Sequence, residues 1–284
     1  MATAAAPAPE ARKKARAGSR PDIATLVGLL VAFGGIAGGL VLEGGKLGQI
    51  VQPTAAMIVF GGTLGAVMIT TPLAALRRAA AAVMAVVFER SEAPDSVMEE
   101  IITYATKARK NGIVSLEQDA EKSPDPFLRK ALNLAVDGTD LQEIRKMMEL
   151  EIGIEEQRAE SAAKVFEAAG GYSPTIGIIG AVLGLIQVMQ HISNVDEVGK
   201  GIAVAFVATI YGVGAANVLF IPAAGKIRAR AHTATEMREM TLEGVSGIVE
   251  GLNPKLIRLK LEAYSQAREQ KPKPAPAAKS GKAA

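Results

Sequence analysis

Side chains that carry out nucleophilic or metal chemistry are scarce in this sequence. Cysteine is absent, which removes thiol nucleophiles, disulfides and Cys-ligated zinc. The two histidines, His191 and His232, are too few for a His-rich metal cage, and each reads as a solvated surface residue. No Ser-His-Asp set or carboxylate pair stands out. An enzyme is therefore not expected, and no catalytic residue, metal or cofactor is assigned. Gly177-x-x-Gly180-x-x-x-Gly184, Gly34-x-x-x-Gly38, Gly35-x-x-x-Gly39 and Gly61-x-x-x-Gly65 have the spacing of nucleotide loops. They do not follow a strand, however, and no Gly-Lys-Ser/Thr comes after them. Small residues four apart let helices approach closely in lipid, so these repeats predict a crowded bundle and an oligomer.

The polar groups embedded in apolar surroundings are Thr25, Thr54, Thr63, Thr70, Thr71, Thr175, Gln187, Thr209, Tyr211 and Asn217. No Asp, Glu, Lys or Arg lies in the middle of these apolar stretches. Ion carriers normally hold an ionisable group at membrane depth, because something there must take up the charge. Either another polypeptide supplies the titrating carboxylate, or these polar groups merely join helices. The residues alone leave both open.

The elements that must position them follow from how hydrophobicity is distributed. The 284 residues are 49% apolar, with 32 Lys and Arg against 29 Asp and Glu. Four uncharged apolar stretches occur, at 23–42, 53–76, 172–190 and 201–225. Each reaches the ~20 residues that a helix needs to cross ~30 Å of hydrocarbon. A soluble amphipathic helix keeps only a stripe apolar, so an integral membrane protein with four spans is expected. The basic residues before the first stretch resemble the start of a signal peptide. That run is longer than a signal core, lacks an Ala-x-Ala site, and is followed by three more spans.

Lys and Arg cluster before the first span (Arg12, Lys13, Lys14, Arg16, Arg20), after the second (Arg77, Arg78, Arg90) and after the fourth (Lys226, Arg228, Arg230). The two remaining loops carry only Lys46 and Lys200. The positive-inside bias therefore places both termini and the large charged stretch in the cytoplasm. The organisation expected is a disordered basic N-terminus (1–21), spans one and two with an extension (22–88), a cytoplasmic helical domain (89–171), spans three and four (172–225), cytoplasmic helices (226–264) and a disordered tail (265–284). In the cytoplasmic domain, Ser96-x-x-Glu99 reads as a capping box opening a helix that ends at Gly112. Ser115-x-x-Gln118 opens a second, 127–136 is a third closed by Gly138, and Asp140-x-x-Glu143 opens a long fourth reaching Ala169 before Gly170-Gly171. Past span four, 226–250 continues as an amphipathic helix, and Asn253-Pro254 breaks it. The fold class is all-α.

Five segments taken together carry a resemblance: LEGGKLGQIVQPTAAMIVFGGTLGAVM (42–68), TKARKNGIVSLEQDAE (106–121), MELEIGIEEQR (148–158), GGYSPTIGIIGAVLGLIQVM (170–189) and GKGIAVAFVATIYGVGAANVLFIPAAGKI (199–227). They resemble, in order and over about residues 22–250, the A subunit of the bacterial flagellar motor stator, the MotA/PomA type of the MotA/TolQ/ExbB proton channel family. The resemblance implies a pentamer of A subunits in the lipid of the inner membrane, around a dimer of single-span, MotB-like B subunits. A B-subunit aspartate passes the ion, and ion flow drives torque on the rotor's switch-complex protein. Nucleic acid has no place in such an assembly. Position by position, it implies rotor contact at Arg109 and Glu117, with Lys110 and Glu151 as weaker companions. It implies ion-path or torque roles for Pro174, Ala181, Thr209 and Pro222.

Each of these residues also has an ordinary reading. Arg109 and Glu117 can be a solvated helix end and a capping-turn Glu. Pro174 after Ser173 suits a helix N1 position. Pro222 must bend its helix or free the carbonyl of residue 218. Thr209 can bond its own i−4 carbonyl. Sodium-driven relatives tend to have Thr where this chain has Ala181. Its absence removes an oxygen ligand for a hard cation and predicts proton coupling. The alternatives are an ExbB/TolQ-type energy-transducing subunit, which usually has three spans, a self-sufficient four-helix channel or transporter, and a structural scaffold with no flux.

Overall fold

The computed structural model describes residues 20–89 and 94–269, and they are helical almost throughout. Four helical runs are long and apolar enough to cross a membrane, as the composition predicts. The first is α1 (Ile23–Leu42), capped by Asp22. A tight outer turn (Leu47–Ile50) leads to the second span, made of α2 (Pro53–Ala56), a π-turn (Met57–Gly61) and α3 (Gly62–Thr70). This span stops at Thr71, earlier than the expected 76, because the ring of Pro72 pushes the preceding residue to an extended backbone (φ −126°, ψ 129°). α4 (Leu73–Val87) then continues inward.

The domain between the second and third spans holds α5 (Pro94–Asn111), a 3-10 turn (Ile113–Leu116), α6 (Glu117–Lys122) and α7 (Pro126–Val136). α8 (Leu141–Gln190) carries the chain outward and α9 (Val195–Gly214) returns it. A second π-turn (Ala215–Phe220) joins α9 to α10 (Ile221–Val249), and α11 (Pro254–Glu269) follows. The one pairing of extended backbone among the described residues sets Arg20–Pro21 against Phe88–Glu89. Of the stretches expected to be disordered, residues 1–19 and 270–284 lie outside the described residues. α11 runs past the expected tail start at 265 to Glu269.

Several boundaries follow the capping chemistry. Asp125 accepts the Phe127 N–H at 2.9 Å and opens α7, and Asp140 accepts that of Gln142 at 2.8 Å and opens α8. Gly112 and Gly138, both at positive φ, close α5 and α7. Two expected starts are corrected. α5 opens at Pro94, so Ser96 lies inside it and Glu99 turns outward to Arg258 instead of back to the cap. Ser115 donates to the Gly112 carbonyl (2.7 Å), so its stretch begins as the 3-10 turn and α6 starts only at Glu117.

A third correction concerns α8. It does not end at Ala169 but runs unbroken for 50 residues, about 75 Å, from the domain between spans two and three through the whole third span. Gly170 is helical because a neighbour needs the space: a Cβ there would come within 2.8 Å of the Ile221 side chain. Pro174 is consequently inside the helix and not at an N1 position.

The largest hydrophobic core, outside the spans, is built from one face of each of α5, α7, α8, α10 and α11. Ile101, Leu128, Leu132, Ile144, Met148, Val245, Ile257 and Leu261 are all at most 1% exposed, each contributing about 2 kcal/mol of burial. Charged pairs frame this core: Arg258 grips Glu99 through two bonds (2.5 and 2.9 Å), and Glu243 accepts from Arg145 and Lys260. The Arg258 guanidinium holds Glu99 below the usual carboxylate range. A second cluster at the base of the spans packs α3 and α4 (Val67, Ala75, Ala79) on α8 (Ala162, Val165, Ala169).

Candidate functional site

The expected ion-path residues all belong to the α8–α9–α10 unit, and glycine spacing explains how it is assembled. Gly177, Gly180 and Gly184 of α8 face Ala208, Ala205 and Gly201 of α9. A Cβ on Gly177 would meet the Ala208 carbonyl at 2.9 Å, and one on Gly184 the Gly201 carbonyl at 2.8 Å. A Cβ on Gly212 would come within 2.6 Å of the Ser173 carbonyl. The two helices therefore touch backbone to backbone over several turns, which only small residues allow. This is the packing role expected for that repeat. The repeats in α1 differ, since added Cβ atoms at Gly34, Gly35, Gly38 and Gly39 would meet nothing within 4 Å.

Ala181 and Thr209 lie on the shoulder of this seam, both half-buried. The Thr209 backbone rests against Gly177, one helical turn from Ala181. The Thr209 hydroxyl donates to the Ala205 carbonyl at 3.3 Å, the ordinary i−4 bond. The bond is long and leaves the oxygen lone pairs uncommitted. Asn217 and Thr175 also bond locally, to the carbonyls of Val213 (2.9 Å) and Tyr172 (2.8 Å). Tyr211 reaches further. Its hydroxyl donates to the Ile50 carbonyl (2.5 Å) and accepts from the Gln52 N–H (3.3 Å), tying the outer turn to α9.

Two buried hydroxyls in the spans, Thr63 and Ser173, have no hydrogen-bond partner among the described residues. Ser173 immediately precedes Pro174, whose missing N–H already loosens the ladder of α8. Pro222, expected to bend its helix or free the carbonyl of residue 218, follows a π-turn. The π-turn Ala215–Phe220 ends directly before it, with the Ile221 N–H reaching back to Ala216. The helix stays continuous from Val195 to Val249, and the wider turn absorbs the missing bond.

In the domain between spans two and three, Arg109 and Lys110 end α5 and Glu117 opens α6, all three exposed. Only the short turn between separates these elements, so the three charges share one edge of the domain. Glu151 does not share it in the same way. It is bonded to Lys130 of α7 at 2.5 Å, a partner 21 residues away that no local pattern indicates.

Two polar clusters at the base of the spans escaped the sequence reading. Arg228 of α10 bonds Glu160 through Nε and Nη2 (2.8 and 2.9 Å) and Glu167 through Nη2 (2.7 Å), locking α10 to α8. Asp22, 6% exposed, is bonded to Lys226 and to Arg230 (2.7 Å), and it accepts from the Thr25 N–H and hydroxyl. The Lys226 ammonium, aided by Arg230 and Thr25, holds the Asp22 carboxyl well below the usual carboxylate range against the opposing effect of burial. Asp22-x-x-Thr25 before an apolar run does signal a helix cap. Nothing in the sequence signals partners two hundred residues away.

Comparison with known proteins follows the same geometry. Residues 119–240 match the MotA/TolQ/ExbB proton channel family, and residues 26–112 match the Motility protein A N-terminal family. Motility protein A of Bacillus subtilis is 35% identical over 252 residues, covering 87% of this chain and 92% of that protein. Chemotaxis protein PomA of Vibrio alginolyticus is 30% identical, covering 86% and 95%. Among solved structures, the flagellar MotAB stator complex from Bacillus subtilis superposes with a TM-score of 0.81 at 34% identity, covering 88% of this chain and 98% of that one. MotAB of C. jejuni gives 0.81 at 29% identity, covering 86% and 95%.

Proposed function

The chain belongs to the MotA/TolQ/ExbB proton channel family and is a stator subunit of the flagellar motor, and we propose that it works as the ion-path wall of a proton-driven, inner-membrane complex. In this reading a MotB-like partner, as the similar MotAB complexes suggest, contributes a single span and the aspartate that takes up the proton. Several copies, five as the resemblance implies, surround that partner with both termini in the cytoplasm. One observation carries the reading. The close-packed α8–α9 pair has no ionisable side chain at membrane depth, yet α8 continues without a break into the cytoplasmic domain. A conduit lacking its own titrating group needs a second chain. A rigid helix through the membrane gives any event beside it a route to the rotor-side edge bearing Arg109, Lys110 and Glu117.

Around the proton, Ala181 offers no oxygen and Thr209 offers one weakly committed hydroxyl, which suits a proton relay better than a cage for a hard cation. Pro174 and Pro222 loosen the backbones of the two helices on either side of that level, giving them room to shift when the partner's carboxylate changes charge. The match of residues 26–112 to the Motility protein A N-terminal family favours this reading over an ExbB/TolQ-type subunit.

Deleting the coding sequence in the host, with its other stator sets removed, is expected to leave flagella assembled and paralysed, and re-expression is expected to restore swimming. Swimming of the restored strain should stop on collapse of the proton gradient and ignore external sodium. Unimpaired motility after deletion would refute the stator role. Motility that tracked sodium would refute proton coupling alone.

A further inference from the structure

α1 crosses the membrane without burying a single residue in its own chain. Its principal neighbours are the outer turn Leu47–Ile50 and α4, and its glycines face open space. Packing along its length therefore does not fix its place. Its inner end is held instead by polar bonds. Asp22 is the one charged residue classed as buried among those described, and its carboxylate faces Lys226 and Arg230, with Thr25 completing the set. Both cations stand on α10, the continuation of the helix that carries Thr209 and Pro222. Adjacent to Asp22, Pro21 pairs with Phe88 at the end of α4.

We propose that Asp22 is a positioning residue: seated between Lys226 and Arg230, it fixes the inner end of α1 to α10 and thereby holds Pro21 in register against Phe88 at the end of α4. A helix cap alone does not require this arrangement. Asn serves as an N-cap as well as Asp does, so a capping role survives Asp22→Asn. The clamp does not survive, since the change leaves two cations facing a neutral group in a desolvated site. Opposite charges at that depth also hold one geometry, because every alternative leaves a charge unpaired. The functional half of the proposal rests on the stator reading, whereas the structural half does not.

The chain has no cysteine, so an engineered pair reports directly. Pro21→Cys and Phe88→Cys sit at Cα partners of the antiparallel pairing, within reach of a disulfide. Oxidation in native membranes should cross-link this pair efficiently. Adding Asp22→Asn should lower the yield by about threefold or more, and Asp22→Glu should restore most of it. In chains without the cysteines, Asp22→Asn should slow swimming at unchanged subunit level, and Asp22→Glu should recover it. Unchanged cross-linking in Asp22→Asn overturns the clamp. Reduced cross-linking with normal swimming overturns its role in the motor. Should Asp22→Asn fail to accumulate, the neutral set Asp22→Asn, Lys226→Met and Arg230→Met is read in the same way, and full cross-linking there overturns the proposal. The cross-link requires no motor, so failure of the stator reading remains distinguishable from failure of the clamp.

Discussion

Arg109 and Glu117 show what a single residue reveals and what it withholds. Their exposure at adjoining helix ends was legible, because Gly112 between them must break α5. Their use as a docking edge came only from resemblance. Charge reversal there (Arg109→Glu, Glu117→Lys) should change the subunit's stability by no more than about 0.5 kcal/mol, since neither side chain is buried. It should cut swimming severalfold, because exposed charges steer and register a partner surface. Equal thermal stability with unchanged swimming speed would remove both residues from the rotor contact. Glu151 belongs to a different group. Its bond to Lys130 gives it structural work at home, so a motility defect in Glu151→Gln needs a parallel stability measurement before it counts as rotor contact. Thr209 met its ordinary expectation, bonding its i−4 carbonyl, which is a local interaction and therefore readable from one helix.

Among the elements, the spans were predictable and their joints were not. Hydrophobic length marks a membrane helix because lipid tests only the average over about 20 residues. A joint depends on who stands beside it. Gly170-Gly171 has the composition of a helix end, yet Ile221 occupies the space beside Gly170 and α8 continues through it. Pro222 forbids one hydrogen bond, and a π-turn lies just before it, with the helix continuous from α9 into α10. Pro222→Ala removes the need for that turn. It should leave assembly intact while slowing swimming severalfold, measured as speed at equal membrane level of the subunit. Normal speed would show that the π-turn has no part in torque. The α8–α9 seam yields a sharper contrast. Gly184→Val brings side-chain atoms onto the Gly201 backbone and should destabilise by about 1–3 kcal/mol, lowering the unfolding temperature of the purified complex. Gly35→Ala, with open space around it, should leave the subunit's own fold unchanged. Equal melting of the two variants would contradict the backbone-to-backbone contact.

At the scale of the whole molecule, the decisive feature is a missing charge. None of the four spans holds an Asp, Glu, Lys or Arg in its middle, where ion carriers normally place one. The purified chain in liposomes should therefore show no proton flux above empty vesicles under an imposed potential, whereas co-reconstitution with a MotB-like subunit from the same host should open a path. Flux by the chain alone would favour the self-sufficient channel instead. Arg228 with Glu160 and Glu167, and Asp22 with Lys226 and Arg230, place two three-residue charge clusters along α10 just beyond Pro222. There, any movement of α10 reaches both α8 and α1.

What the sequence determined by itself was the membrane class, the number of candidate spans, the all-α fold, the start of α8 at Asp140 and the helix ends at Gly112 and Gly138. Each is decided by composition averaged over one segment or by contacts within four residues. What only the tertiary structure decided was which partners meet across the chain: Asp22 with Arg230, Tyr211 with Ile50, Glu151 with Lys130, and the glycines of α8 with α9 but not those of α1 with anything. A charge or glycine reads the same in one dimension whether its neighbour is water, lipid or a helix two hundred residues away. Its effect depends on the local dielectric and on the space left beside it, and both exist only once the helices have packed.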